Sequence, residues 1–506
     1  MNNSRRFYIL FLIIVSPLFW RGVGGEAFAQ LENSSFTNAG RGCATTFATD
    51  YEALGINPAN LGWASKYDGK KFTMGFAEFG VSVSSDALTK DQLRNSLVSI
   101  IQGNSNNLSY QDKMNAANSF AQAGTTMNID ASVFGAAVNT KKAGGFAFRI
   151  NDHMQLYTQF GSNAANLFFL GKTSNIFDSL TIVTSAGTTQ NIGNHPNLSP
   201  DSAKMVTQGY TNAPQLLSKV LNGSQMKLTW TREYNFSYGR KIIGNDSIFA
   251  LYGGIGIKYV QGLALIDIQS TNNQLSGYSS ISPAFGINYG AAATDANQVT
   301  QSGGLPKTVG NGYGFDFGLN AVIKSKLKIG IAVNNVGSIV WKGNAYTLKD
   351  TFLVKTTNTG LQNYNLISQL ANMFSAGAGG LVNLQAAQSI TTQLPGMIRA
   401  GASILLGRVA EIGVDFVMPV TSNAVPGSIQ NPVISVGGDL MPVKWLKLQA
   451  GFVHGGNYGN QIPVGIIFTA KGGVYEAGIA SRDVITFFTQ HGPNISLSMG
   501  FMRMRF

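Results

Sequence analysis

From Met226 to Tyr238 the chain alternates in polarity. Met226, Leu228, Trp230, Tyr234, Phe236 and Tyr238 fall on one face, and Lys227, Thr229, Thr231, Glu233, Asn235 and Ser237 on the other. Period two sustained this long predicts a β-strand whose two faces meet different surroundings. The pattern recurs: Tyr313, Phe315, Phe317, Leu319 and Ile323 oppose Gly314, Asp316, Gly318, Asn320 and Lys324. Shorter instances start at Phe146, Ile412 and Leu446. Each such segment is about 10 residues long, the length a tilted strand needs to cross hydrocarbon. Beyond the first thirty residues no apolar run is long enough for a spanning helix. Lipid offers no partners to backbone N–H and C=O groups, so a chain without such helices can cross it only as a closed barrel.

Composition separates this reading from a soluble sandwich, which also alternates. Charged residues make up 12% of the chain, against about 25% in soluble domains. Aromatic residues make up 10%, and 60 of the 506 residues are glycine. The expected fold is all-β, a transmembrane antiparallel β-barrel of roughly 14 strands. Arg232 interrupts the apolar face of its strand. An Arg facing lipid costs about 2–4 kcal/mol at mid-depth and close to nothing at the interface, so Arg232 is expected to mark a membrane rim beside Trp230 and Tyr234.

The N-terminal residues read as an address. Arg5 and Arg6 precede the apolar stretch Phe7–Trp20, and Ala27-Phe28-Ala29 forms a small-residue cleavage site before Gln30. This is the pattern of a removable signal peptide over 1–29, and the expected location is the outer membrane of a Gram-negative bacterium. Residues 30–69 are expected to form an N-terminal plug, or hatch, and 70–506 the barrel. Polar inserts at 89–123, 161–223 and 356–392 interrupt the strands. They carry helical patterns at Leu93–Ile101, Pro214–Leu221 and Leu366–Phe374, and are expected as extracellular loops. The last strand, from Ile495, ends on Phe506, as signals read by the barrel-assembly machinery do. Its apolar face changes sides part-way, which a bulge near Phe501–Met502 would explain.

Chemical signals are weak. The net charge is +12, yet the bases are scattered through an exported chain, so no nucleic-acid partner is expected. Cys43 is the sole cysteine, and His153, His195, His454 and His491 lack metal-ligand spacing. The His491-Gly492-Pro493-Asn494 group reads as a turn, and Gly377-Ala378-Gly379-Gly380 lacks the lysine of a phosphate loop. No catalytic residue, metal or cofactor is expected, and the chain is not read as an enzyme.

Ahead of the first strand stands Ala48-Thr49-Asp50-Tyr51-Glu52-Ala53-Leu54-Gly55-Ile56-Asn57-Pro58-Ala59-Asn60-Leu61-Gly62. This resembles the N-terminal region of the FadL/TodX family of outer-membrane transporters of hydrophobic compounds. Leu394-Pro395 followed by Gly401, and the closing pattern Tyr475-Glu476-Ala477-Gly478, Arg482-Asp483 and Gly492-Pro493-Asn494, are similar to FadL-like barrels of Bacteroidetes. The resemblance implies a 14-stranded barrel with its N-terminal segment folded inward as a hatch. Ligands would enter from an extracellular groove and leave sideways through a gap in the wall. It carries over to Asn57, Pro58, Ala59 and Leu61 as hatch residues. The chain departs from the family in having Asn60 where glycine is common, and in its three inserts.

Physically, Pro58 sets its own φ and keeps Asn57 out of the helical region, while the Asn57 amide is suited to pinning a turn. Asp50 and Glu52, in a chain sparing of acids, are expected to meet a basic lumen residue such as Arg149, Lys227 or Lys258. Three functions follow as expectations: a passive transporter of fatty-acid-like molecules, a scaffold or adaptor with a protein partner in secretion or envelope assembly, or a porin for polar solutes. In each, membrane lipid surrounds the barrel.

Overall fold

The computed structural model describes residues 35–63, 70–85, 108–121, 123–140, 143–195, 198–290, 298–301, 305–361, 375, 381–421, 431–456, 459–485 and 494–506. The expected signal peptide, the Leu93–Ile101 and Leu366–Phe374 patterns, the Gly377–Gly380 run and His491 lie outside them.

Fourteen strands form the wall: β1 (Phe72–Ser85), β2 (Gly124–Thr140), β3 (Gly144–Gln159), β4 (Ser224–Asn245), β5 (Phe249–Thr271), β6 (Gly310–Ile323), β7 (Leu327–Trp341), β8 (Met397–Leu406), β9 (Ala410–Pro419), β10 (Val433–Val443), β11 (Leu446–Gly455), β12 (Val464–Ala470), β13 (Tyr475–Ser481) and β14 (Asn494–Arg505). Each pairs antiparallel with its neighbours in the chain, and β1 pairs with β14, so the barrel closes. Closure removes the open edges that lipid cannot satisfy. Among the described residues no helix is long and apolar enough to cross a membrane.

The two faces of the wall have opposite chemistry. Phe236, Ile255, Phe317, Ile331, Val414 and Phe468 are each at least 46% exposed on the outside. In water such a belt would be a large aggregation surface, and in lipid it is the solvated state. Asn235, Ser237, Asp316, Asn320, Arg399 and Asp415 are buried on the inside.

One end of the barrel has tight connections, such as Asp246–Ile248 and Lys324–Lys326; the other carries the long excursions. β4 and β5 run to 22 and 23 residues, about twice what a tilted strand needs to cross hydrocarbon. Their surplus projects at the long-loop end. There Gln274–Ile281, Ala345–Lys349 and Asn383–Ala386 continue the sheet, and a separate four-stranded sheet forms from Phe352–Thr356, Val206–Leu216, Ser179–Val183 and Thr189–Gly193.

Three helices matter below: α1 (Phe36–Ala39), α2 (Tyr110–Phe120) and α3 (Ser162–Leu170). α2 begins at a capping box in which Ser109 and Asp112 bond reciprocally. α3 lies in the Asn/Ser-rich insert, where only Pro214–Leu221 reads as helical. That stretch is the end of a strand followed by the short turn of helix Leu217–Val220.

The bulge expected in the last strand is present. Phe501 and Met502 stand opposite the single Ala477, and both are exposed. One extra residue reverses the facing, so Ser496, Ser498 and Gly500 point inward before it and Arg503 after it.

Candidate functional site

The lumen at the short-turn end is occupied by residues 35–63, nearly all of them buried. The segment is a chain of small capped turns. Ser35 caps α1. Asp50–Ala53 and Pro58–Gly62 are single 3₁₀ turns. Asn57 is extended, as a residue before proline must be, and its side chain accepts the Ala59 N–H at 3.1 Å. The same amide donates to the Leu319 carbonyl of β6 at 3.3 Å. It therefore pins the turn to itself and to the wall. Asn60 donates to the Thr45 and Ala48 carbonyls at 3.0 and 2.8 Å and accepts from Asn320 at 2.6 Å. A glycine at this position could make none of these bonds.

What seats the segment is glycine. Gly75, Gly135, Gly145, Gly239, Gly254, Gly318 and Gly330 on β1–β7, and Gly401, Gly413, Gly437, Gly451, Gly465, Gly478 and Gly500 on β8–β14, each lie against residues 36–62. Every wall strand contributes one. Many are direct cross-strand neighbours, as in Gly145–Gly239–Gly254–Gly318 and Gly413–Gly437–Gly451. A methyl added at Gly318 would run into the Asn57 amide, at Gly437 into the Arg41 carbonyl, and at Gly500 into the Phe36 ring. A strand glycine costs roughly 0.5–1 kcal/mol relative to alanine, and the close approach of the segment is what these glycines permit.

Charge locks the seated segment. Arg503, turned inward by the β14 bulge and buried, meets Asp50 at 2.6 Å, Glu52 at 3.5 Å and Glu476 of β13 at 3.2 Å. Glu52 also accepts from Ser35, Thr37 and Asn38. Further round the wall Arg41 pairs with Asp439 at 2.9 Å, and Asp415 accepts the Ala44 and Thr45 N–H groups at 2.6 and 2.8 Å. Tyr51 donates to Glu78 of β1.

The partner expected for Asp50 and Glu52 is thus corrected. It is Arg503, while Arg149 lies 3.9 Å from Glu78, Lys258 sits between Glu233 and Asp316, and Lys227 is far up β4 opposite Tyr157 and Asp267. Sequence reading missed Arg503, although it expects the bulge that turns this residue inward, because nothing local links the last strand to residues 453 positions earlier. It also missed the glycine belt, whose only sequence signal is a glycine within each alternating segment. Asn57, Pro58, Ala59 and Leu61 are all buried in the lumen. Phe506 is at the seam: its carbonyl accepts the Lys71 and Phe72 N–H groups, its own N–H donates to the Phe72 carbonyl, and its ring lies 6.3 Å from that of Phe72.

At the long-loop end the same strand faces change surroundings. Phe236 is exposed, whereas Met226 and Leu228, further up the same face of β4, are buried with Leu156, Ile266 and Ile268 beneath the aromatic residues of α3. Phe120 of α2 packs on Phe169 of α3 at 5.1 Å. Between the two regimes lies Arg232, paired through two hydrogen bonds with Asp152 at 2.6 and 2.8 Å.

The model of a family of unknown function, DUF5723, matches residues 177–474, more than half of the chain. The chain belongs to this family. The DUF5723 match runs from the second insert to the edge of β13. No curated protein matches the chain in sequence. Among solved structures, the toluene transporter TodX of Pseudomonas putida covers 94% of this chain and 98% of its own at 11% identity and a TM-score of 0.40. The toluene transporter TbuX of Ralstonia pickettii gives 94%, 99%, 11% and 0.43, and a FadL homologue of Pseudomonas aeruginosa 95%, 98%, 9% and 0.36. At such scores the architecture of this DUF5723 chain rests on its own strand pairing.

Proposed function

We propose that this chain is an outer-membrane barrel of a Gram-negative envelope that passes hydrophobic, fatty-acid-like small molecules. Residues 1–29 are its removable signal peptide, residues 30–69 its hatch, and Phe506 its signal to the barrel-assembly machinery. The observation that carries the reading is the filled lumen. A segment that touches all fourteen strands, with Asp50 and Glu52 on Arg503 and Arg41 on Asp439, disfavours steady diffusion of polar solutes. A hydrophobic compound would approach from the long-loop end, where α2 and α3 cover an apolar cluster.

The test is a pair of measurements on the mature protein in vesicles and planar bilayers, with and without residues 35–61. The intact protein is expected to pass a hydrophobic probe while showing no steady ion conductance. The deletion is expected to conduct ions and to change probe entry several-fold. Probe permeation unchanged by the deletion would remove the hatch from the mechanism, and steady conductance of the intact protein would favour the porin.

A second reading, an adaptor for a protein partner, is favoured by one feature. Phe352 and Val354 are 62% and 47% exposed on an edge strand of the long-loop sheet, where another chain could pair. Native mass spectrometry of the protein taken from its own membrane separates the two. A retained lipid-like molecule supports transport, and a retained protein with no small molecule supports the adaptor.

A further inference from the structure

The outer wall carries a groove of about 510 Å³ directly behind the hatch motif. It crosses β4 to β7 where Arg240, Gly253, Leu319 and Ile331 stand side by side in register, with Ile242 and Phe317 adjoining. All of these are on the outward face, so the groove opens toward lipid. Its floor cannot yield inward. The residues next to Gly253 and Leu319, Gly254 and Gly318, are the ones pressed against Pro58 and Asn57.

Gly253 makes the groove, and the wall's own packing does not demand a glycine there. The nearest atoms to a Cβ on Gly253 belong to flexible side chains, the Ile242 Cδ1 and Cγ1 at 2.7 and 3.4 Å and Leu319 at 3.6 Å, a contact that rotation of Ile242 relieves. Glycine weakens a strand and leaves no side chain to pack, and its presence in one often marks the close approach of a ligand.

Beside this gap is an unmatched charge. Arg240 is exposed in a row of apolar side chains, and among the described residues its guanidinium has no carboxylate or hydrogen-bond partner. The two tight turns below it continue the positive charge. Lys324 and Lys326 flank one, whereas Asp246 in the other is buried, with Tyr252 donating to it and Lys241 3.9 Å away. An apolar trough ending at a free cation has the complement of an anionic amphiphile. Guanidinium and phosphate match in planar, two-pronged geometry.

We propose that this groove is a binding site for one glycerophospholipid with a net negative headgroup. Its acyl chain fills the gap at Gly253 and its phosphate meets Arg240. The short-turn end faces the periplasm in barrels of this type, so the lipid comes from the periplasmic leaflet. The site requires a bilayer around the barrel and is independent of whether any compound passes through it.

The experiment is native mass spectrometry of the mature protein in mild detergent supplied with equal amounts of phosphatidylglycerol and phosphatidylethanolamine. The wild type is expected to retain a single phosphatidylglycerol in preference to phosphatidylethanolamine. Arg240→Gln is expected to lower that preference about tenfold while still holding a lipid chain, and Arg240→Lys to lower it less. Gly253→Leu is expected to abolish retention of both lipids by filling the trough. Ile331→Trp, which fills it from another strand, provides the same readout should Gly253→Leu fail to assemble. All variants are compared only where heat-modifiable migration shows a folded barrel. Equal retention and equal headgroup preference in wild type, Arg240→Gln and either filling variant overturns the proposal. So does retention of a free fatty acid in place of phospholipid.

Discussion

At the residue scale, two kinds of side chain hold residues 35–63 in place: those that are absent and those that are charged. The belt glycines give the segment its room, and Arg503 gives it an anchor that three carboxylates share. Enlarging one belt residue and removing the anchor therefore attack the same contact from two sides. Gly437→Val pushes against the Arg41 carbonyl, an overpacking expected to cost about 1–3 kcal/mol. Arg503→Gln leaves Asp50 and Glu52 buried without their cation, while Glu476 keeps Arg505 at 3.2 Å, a loss of about 3–5 kcal/mol. Both variants are expected to raise protease cleavage within residues 35–63 and to produce flickering conductance in planar bilayers. Gly193→Ala, whose added methyl would meet only the His195 ring at 3.5 Å, serves as the control. Cleavage no faster in Arg503→Gln than in this control would mean that the anchor is dispensable.

At the scale of elements, the surplus length of β4 and β5 creates a second compartment that the barrel alone does not need. Above the Arg232–Asp152 pair, α2 and α3 cover an apolar strand face. Their seating has a titratable component. Lys113 of α2 is buried and donates to the Thr359 carbonyl at 2.9 Å. Burial, helped by the nearby positive charge of Lys172, pushes its ammonium down to about 8. The group is harder to protonate when α2 is docked than when it is free, so the undocked state binds more protons between the two values. Docking is then expected to strengthen as pH rises from about 8 toward 10.5; below that window the group weakens docking by a constant amount and adds no pH dependence. Hydrogen exchange across Tyr110–Phe120 would show slower exchange in that range after correction for intrinsic rates. Lys113→Met should remove the pH dependence, and a persistent slope in that variant would assign it elsewhere.

At the scale of the whole molecule, the barrel depends on one seam. Thirteen of the fourteen strand pairings join neighbours in sequence, and only β1 with β14 joins the two ends of the wall. That pairing finishes on Phe506, through its backbone bonds to Lys71 and Phe72 and its ring on Phe72. Phe506→Ala keeps the backbone bonds and loses the ring pair, a contribution of about 0.5–1.5 kcal/mol. The expected result is a lower temperature for loss of SDS-resistant migration and slower insertion by the assembly machinery in reconstituted membranes. If the melting temperature falls and insertion does not slow, Phe506 is a seam residue and nothing more.

What the sequence by itself determined is the wall. Alternation, low charge and the lack of a spanning helix sufficed for an antiparallel barrel of about fourteen strands. Each of these is a local property that the contrast between lipid and lumen imposes on every strand separately. The bulge at Phe501–Met502 was legible for the same reason, since it is a break in a local rhythm. Only the tertiary structure decided the interior. Arg503 reaches Asp50 across 453 positions of chain, and the belt glycines share no sequence neighbourhood; closing the barrel is what brings them to one level. The groove at Arg240 and Gly253 was equally hidden, because it exists only where four strands stand in register. Polarity is written along a strand, whereas the meeting of residues across strands is set by register and closure.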